Sequence, residues 1–268
     1  MPHIQCHDLT MYYRIEGTGF PVLFISGLGG GSWSWSKQVP CFSEKYQCIC
    51  FDNRGAGQTE APPGPYTMEQ MALDTVRLLY GLDVEKTFVV GLSMGGMIAQ
   101  ELAMLLPHRI KGLVLGCTHP GGELQVKAED EVYRRLVNND GLSPEEVVEK
   151  NIPLLFSRFT MENRPEVLDD YRQQQQEAPV QSEHAFQAQY RAILDFDFSQ
   201  RLTRLGVPSL VITGSQDILV PPENSRIMAD KIPVSTLKEL PETGHALHVE
   251  QTEAFNHELD AFFWRHSL

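Results

Sequence analysis

Three residues that together can activate a hydroxyl nucleophile each follow a predicted strand, at well separated places in the chain. They are Ser93, Asp217 and His245, in that order. A serine hydroxyl is a poor nucleophile at neutral pH, so it needs an imidazole that takes its proton and a carboxylate that orients the imidazole. The three residue types therefore predict acyl transfer through Ser93.

The segment around Ser93 predicts a strand, a tight turn and a helix. A run of β-branched and aromatic residues ends at Gly91, and apolar residues at helical spacing begin directly after Ser93. Such a turn forces its central residue to a positive φ and leaves no room for side chains two positions away, where Gly91 and Gly95 stand. The first free N–H of the helix, that of Met94, is expected to face the reacting carbonyl.

A glycine-rich loop, Ser26-Gly-Leu-Gly-Gly-Gly31, follows the predicted buried strand Phe20–Ile25. A phosphate-binding P-loop needs Lys-Ser/Thr after its last glycine, and a dinucleotide loop needs Gly-x-Gly-x-x-Gly at the start of a helix. The sequence Ser-Trp-Ser-Trp follows instead, so neither pattern fits. The simplest interpretation of the segment is a plain turn at the end of the strand, with no part in chemistry.

The remaining strand ends account for the other polar candidates. The predicted strand Tyr46–Phe51 leads into Asp52-Asn-Arg-Gly-Ala-Gly57, where Asp52 and Arg54 are expected to hold the loop backbone by hydrogen bonds. No acidic residue precedes Glu123 after the strand that starts at Ile110, so the acid is expected later, at Asp217. His245 leaves the last predicted strand.

Residues 123–200 interrupt this strand-rich pattern with charged, amphipathic, helical sequence. The interruption predicts a helical cap, inserted into a core made of residues 1–122 and 201–268. The glutamines 173–176 are expected to form a solvated helix face. Four arginines of this segment could meet a substrate carboxylate, although a surface position is the simpler expectation for each: Arg134, Arg158, Arg164 and Arg191.

These motifs resemble the α/β-hydrolase superfamily, most closely its 3-oxoadipate enol-lactonase and carboxylesterase branch. The resemblance rests on Asp52–Gly57, Gly91–Met97, Gly214 with Asp217, and Gly244-His245. It implies an α/β-hydrolase fold, with a mostly parallel, eight-stranded, doubly wound sheet and an inserted cap. In a doubly wound sheet the three candidate residues can converge at one edge.

The resemblance also implies an oxyanion hole formed by two backbone N–H groups, those of Leu28 and Met94. Many relatives carry histidine where this chain has Ser26, so the support of that loop is expected to differ. Trp33 and His119 are candidates for the substrate pocket, although a lone histidine near a turn is more often structural.

Composition excludes several classes of partner. With 22 basic and 35 acidic residues the net charge is −13, which disfavours nucleic acid and anionic membranes. The five cysteines lack metal-ligand spacing and are expected to be reduced thiols, and the pair His245 and His248 lacks the helical His-Glu-x-x-His pattern of a metal site. We therefore expect no metal and no cofactor. The first residues lack a signal-peptide pattern, so a cytoplasmic location is expected.

The sequence thus predicts a serine hydrolase that cleaves a small carboxylic ester or enol-lactone through an acyl-enzyme. Two alternatives stay open: a hydrolase that uses the same triad to cleave a carbon–carbon bond in a vinylogous keto acid, and a non-catalytic ligand receptor on the same scaffold. The oligomeric state is not predicted.

Overall fold

The computed structural model describes residues 2–267. The eight strands form one sheet in the order β1-β2-β4-β3-β5-β6-β7-β8. Strand β2 pairs antiparallel with both neighbours, and the pairs from β4 to β8 are all parallel. This confirms the predicted mostly parallel, eight-stranded sheet. The strands are β1 His3–Cys6, β2 Leu9–Glu16, β3 Phe20–Ile25, β4 Tyr46–Phe51, β5 Thr87–Leu92, β6 Ile110–Gly116, β7 Ser209–Gly214 and β8 Ser235–Leu240.

The helices flank the sheet and fill the long connection between β6 and β7. They are α1 Val39–Phe42, α2 Met68–Gly81, α3 Met94–Leu105, α4 Asp130–Val137, α5 Pro144–Leu155, α6 Arg158–Asn163, α7 Pro165–Glu177, α8 Glu183–Leu194, α9 Glu223–Lys231, α10 Leu247–Glu250 and α11 Thr252–His266. Short 3-10 helices span Ser32–Trp35, Gly122–Leu124 and Ser199–Arg204. Within residues 2–267, no helix has the length and apolarity needed to cross a bilayer.

Both faces of the sheet are covered, because its central strands are apolar on both sides. Every residue of β5 and β7 is buried. Helices α2 and α3 pack on one face, and their apolar residues join those of β3 and β6 in the larger core cluster. On the other face α11 packs through four buried residues that helical spacing places on one side, Phe255, Leu259, Phe262 and Phe263.

Helices α4 to α8 lie between β6 and β7 in the chain, where the sequence predicts the cap. Helix α5 begins with a capping box at Ser143 and Glu146, in which both reciprocal hydrogen bonds form. A separate apolar cluster joins α5 and α7 to the segment that follows β8. Its buried members are Ile152, Phe156, Val167, Leu168, Ala246 and Val249.

Two local expectations differ from the structure. The sequence predicts a closing helix over residues 250–266, and α11 instead begins at Thr252, because Gln251 leaves helical geometry at φ −126° and ψ 52° after the short helix α10. The Arg54 side chain binds the Asp74 carboxylate on α2, at 2.8 and 2.9 Å, instead of its own loop backbone. Asp52 does hold the loop as predicted, through the N–H groups of Ser32 at 2.7 Å and Gln58 at 2.8 Å.

Candidate active site

Ser93 occupies the strained turn that the sequence predicts. It has φ 56° and ψ −122°, between the end of β5 and the first residue of α3. A Cβ on Gly91 would lie 2.3 Å from the carbonyl oxygen of Gly95, and one on Gly95 would lie 2.1 Å from that of Ile25. Only glycine fits at either position, so the turn can be this tight and the serine stands at the carboxyl end of the sheet.

The backbone of Ser93 is fixed by the neighbouring strand exit. Its N–H donates to the Gly116 carbonyl at 2.8 Å. Its carbonyl accepts from the Thr118 hydroxyl at 2.7 Å. The last residue of β6 and the segment after it therefore hold the nucleophile candidate from both sides, which keeps a costly backbone conformation in place.

Asp217 and His245 meet at the next two strand exits. His245 Nδ1 lies 2.7 Å from Asp217 Oδ2, and the side chains are 9% and 0% exposed. The other carboxylate oxygen of Asp217 accepts the N–H groups of Leu219 at 2.9 Å and Val220 at 2.8 Å. These bonds fix the carboxylate, so one oxygen remains directed at the imidazole.

Cys117 connects the two halves of the site. It follows β6 with φ 44°, and its N–H donates to the Ile212 carbonyl on β7 at 2.9 Å. Potential ligand atoms of Cys117, Asp217 and His245 all lie within 4.8 Å of one another. Burial, with a smaller contribution from Asp217, raises the pKa of the Cys117 thiol well above its usual value, so the group stays protonated. The three residues Gly116 to Thr118 thus touch both Ser93 and the Asp217–His245 pair.

The side chains of Cys117, Asp217 and His245 are also the group in residues 2–267 that comes closest to metal-binding geometry. Both oxygens of Asp217 already accept hydrogen bonds, from Leu219, Val220 and His245. The arrangement therefore suits proton transfer rather than resident metal chemistry.

The glycine-rich loop passes directly beside Ser93. A Cβ on Gly27 would lie 3.2 Å from Ser93 Cβ and 3.7 Å from its Oγ. Within residues 2–267, neither the Leu28 N–H nor the Met94 N–H donates to a protein acceptor. Both candidate donors therefore remain free beside the hydroxyl.

Ser26, the first residue of this loop, supports it through both its side chain and its backbone. Its hydroxyl donates to the Gly31 carbonyl at 2.8 Å and accepts from Trp35 Nε1 at 2.9 Å. The Asn53 amide donates to the Ser26 carbonyl at 3.0 Å. The loop therefore keeps its shape through an internal hydrogen-bond chain.

Comparison with known proteins decides the family. The family model described as the alpha/beta hydrolase fold matches residues 21–252. The chain belongs to the α/β-hydrolase family. It is 30% identical to 3-oxoadipate enol-lactonase 2 of Acinetobacter baylyi, over 98% of this chain and 96% of that protein.

Solved structures of other α/β hydrolases match over nearly their whole length. A thermophilic esterase from Thermogutta terrifontis has a TM-score of 0.82 at 30% identity, covering 96% of this chain and 94% of its own. The enol-lactonase from Burkholderia xenovorans LB400 has a TM-score of 0.85 at 26% identity, covering 98% and 99%. Relatives of comparable identity bear the names carbamate hydrolase and non-heme bromoperoxidase, so the family membership leaves the reaction open.

In this α/β hydrolase the two pocket candidates have different surroundings. The Trp33 ring packs against Gly31 and Gly57, and its buried Nε1 has no hydrogen-bond partner within the described chain. His119 is 3% exposed, and its Nδ1 accepts the Gly121 N–H at 3.1 Å. Burial, with a smaller contribution from His245, lowers the pKa of His119 to about 4. His119 is thus a neutral, partly structural group near the imidazole.

The four arginine candidates of residues 123–200 bind other groups or point outwards. Arg134 pairs with Glu131 and Arg158 with Glu162, and their side chains are 74% and 82% exposed. Arg164 donates to the backbone carbonyl of Glu250 at 2.7 Å, and Arg191 is exposed. The surface position expected for Arg134, Arg158 and Arg191 is confirmed, whereas Arg164 ties α7 to α10.

Several residues that hold the site were not predicted from the sequence. Gln189 is fully buried on α8, accepts the Gly29 N–H at 3.3 Å and donates to the Arg54 carbonyl at 2.8 Å. Gln174, expected on a solvated face, donates to the Trp33 carbonyl at 2.9 Å. Glu250 is fully buried beside the His245 loop. An acidic residue in the apolar run Ala-Leu-His-Val-Glu was the one available hint.

Proposed function

We propose that the protein is a serine hydrolase that cleaves a small carboxylic ester or enol-lactone through an acyl-enzyme, with Ser93, His245 and Asp217 as its triad. The observation that carries the proposal is the 2.7 Å contact between His245 Nδ1 and Asp217 Oδ2, at the sheet edge where Ser93 occupies its strained turn. A carboxylate–imidazole pair beside an activated serine is the arrangement that acyl transfer requires.

In the proposed first step, His245 Nε2 takes the Ser93 proton while Oγ attacks the carbonyl carbon. The Asp217 carboxylate accepts the Nδ1–H, which sets the tautomer with Nε2 free and stabilises the imidazolium that forms. The tetrahedral intermediate collapses as His245 returns the proton to the leaving alcohol or enol. Water then repeats the sequence against the acyl-enzyme and releases the carboxylic acid.

The developing oxyanion would be stabilised by the N–H groups of Leu28 and Met94. Support comes from the loop beside Ser93 and from the two N–H groups that no protein acceptor uses within residues 2–267. Because the donors belong to the main chain, they need no rearrangement as charge develops. Loss of one such donor typically costs about 3–4 kcal/mol of barrier.

The groups around the imidazole favour an uncharged acyl group. His119 and His248 both have a pKa lowered to about 4, mainly by burial, so both are neutral at pH 7. Burial raises the pKa of Tyr133, whose hydroxyl accepts the Ala128 N–H at 3.3 Å. A substrate carboxylate would lose its hydration here and meet the negative charge of Asp217. We therefore infer a neutral ester or lactone.

The test is a panel of short and medium acyl esters and lactones, run on the wild type and on Ser93→Ala. We expect at least about a thousandfold loss of kcat/KM in Ser93→Ala, because the turn Gly91–Gly95 carries one hydroxyl, that of Ser93. Ser235→Ala is the matched control, since Ser235 begins β8 at the opposite end of the sheet. Its rate should equal that of the wild type.

A fluorophosphonate probe separates the alternatives. The proposal expects one adduct, on Ser93. Equal ester turnover by the wild type and Ser93→Ala would refute the assignment. Absence of both adduct and turnover would favour a receptor, whereas an adduct with turnover of vinylogous keto acids alone would favour carbon–carbon bond hydrolysis.

A further inference from the structure

Glu250 is a buried carboxylate that joins the His245 loop to the cap. Its side chain is fully buried, and Oε2 accepts the Gly244 N–H at 2.8 Å. On the other side Oε1 accepts the Ser157 N–H at 3.0 Å, the Thr160 hydroxyl at 2.8 Å and the Ser157 hydroxyl. A charge removed from water is tolerated when hydrogen bonds replace its hydration, as they do here on both oxygens.

The loop that carries His245 also lies directly against the segment between α5 and α6. The Ala246 N–H donates to the Leu155 carbonyl at 2.8 Å. A Cβ on Gly244 would lie 2.7 Å from that carbonyl oxygen and 2.8 Å from Ser157 N. Of the two neighbours of His245 in the chain, Ala246 is thus hydrogen-bonded to the cap and Gly244 packs against it.

We propose that Glu250 is a positioning residue, which fastens the His245 loop to the cap and thereby sets where the imidazole lies between Asp217 and Ser93. The inference rests on the proposed catalytic role of His245. Displacement of a catalytic group by about 1 Å can cost about 100-fold in rate. The link therefore makes the placement of helices α5 and α6 a determinant of turnover as well as of substrate access.

Glu250→Gln tests the link, because a glutamine has only one acceptor oxygen. Three donors converge on Oε1, and the Ser157 N–H cannot rotate away. The glutamine oxygen should therefore stay with Ser157 and Thr160, and its NH₂ should face the Gly244 N–H. The glutamine NH₂ and the Gly244 N–H are then two donors that face each other, so the hydrogen bond to the His245 loop is lost. The hydrogen bonds to Ser157 and Thr160 remain.

For Glu250→Gln we expect kcat on the best ester of the panel to fall by about 100-fold, with KM within about threefold. A second readout does not depend on turnover. The proton in the short His245–Asp217 hydrogen bond should give a strongly deshielded NMR signal in the wild type, and this signal should shift or broaden in Glu250→Gln. Both readouts report the position of the imidazole rather than overall stability.

Glu101→Gln is the matched control. Glu101 is also buried, in the second half of α3, and its carboxylate binds Arg201 of the 3-10 helix Ser199–Arg204. That variant should lose stability and keep kcat within about threefold. An equal loss of kcat in both variants, or wild-type kcat and NMR signal in Glu250→Gln, would overturn the proposal.

Ser157→Ala provides the test if Glu250→Gln does not fold. It removes one donor on the cap side and keeps the Ser157 N–H, so we expect about a fivefold fall in kcat and a smaller NMR shift. An unchanged kcat and signal would refute the link. Failure of the wild type to turn over any ester would count against the proposed function alone, since the NMR comparison still decides the role of Glu250.

Discussion

Replacing Asp217 with asparagine should change the imidazole tautomer without disturbing the loop. Oδ1 accepts two backbone N–H groups, at 2.9 and 2.8 Å, and the asparagine oxygen should take over this role. Its NH₂ group then occupies the position of the wild-type Asp217 Oδ2, which lies 2.7 Å from His245 Nδ1. Nδ1 must become an acceptor, so the ring proton moves to Nε2, which can no longer take the proton of Ser93.

We expect kcat/KM to fall by about 10⁴-fold, which corresponds to about 5.5 kcal/mol in barrier height. Ester turnover gives the rate, and ¹⁵N NMR of labelled histidine gives the tautomer of His245. The melting temperature should change little, because both backbone N–H bonds are retained.

Asp74→Asn is the matched control, since it alters an equally buried carboxylate on α2, which binds Arg54 in the loop after β4. It should cost stability and leave the rate per folded molecule within about threefold. A loss of less than tenfold in Asp217→Asn, or an Nδ1 that stays protonated, would refute the reasoning.

Four further outcomes are expected. The pKa of His119 is lowered to about 4 in the folded state, so folded protein binds fewer protons than unfolded protein between about pH 4 and 6.5. The free energy of unfolding should therefore decrease by about 3 kcal/mol for this group as the pH falls through that range. Urea unfolding of His119→Gln should show a shallower pH slope, and an identical slope would contradict the assignment. Gly95→Ala should unfold the turn or cost more than about 3 kcal/mol, since its Cβ would lie 2.1 Å from a carbonyl oxygen, whereas Gly206→Ala meets nothing within 4 Å and should shift the melting temperature little. Ser26→Ala leaves the buried Trp35 N–H without its acceptor and should cost about 1–3 kcal/mol in unfolding experiments; an unchanged stability would show that the loop is held otherwise. Mono-4-nitrophenyl glutarate should react at least about 100-fold more slowly than 4-nitrophenyl valerate. In the glutarate a carboxylate replaces a methyl group, in a site of neutral side chains beside Asp217. Comparable kcat/KM values for the two esters would refute a preference for neutral acyl groups.

Local sequence predicted the parts of the site that backbone sterics dictate. Gly91 and Gly95 stand two positions either side of Ser93, and the positive φ of that serine follows from the reversal between β5 and α3. Strands β3 and β4 have the bounds that their apolar runs predict. Such features depend on a few neighbouring residues, so a short stretch of sequence specifies them.

The prediction was weaker wherever a polar side chain had to choose a partner. Arg54 binds Asp74 on α2, 20 residues along the chain, because the folded helix places that carboxylate beside its guanidinium. Gln174 reaches the Trp33 carbonyl across 141 residues. The sequence predicts loop contacts for Arg54 and a solvated face for Gln174, and only the packed structure shows where their donors go.

The sequence by itself determined the family, the chain order of the candidate residues Ser93, Asp217 and His245, and the strained turn at Ser93. Only the tertiary structure decided how the turn is fixed to Gly116 and Thr118, how Cys117 lies beside Asp217 and His245, and how Glu250 joins the His245 loop to Ser157, 93 residues away. The physical reason is that a turn is set by sterics between adjacent residues, whereas a buried carboxylate finds its donors only after distant segments have packed around it.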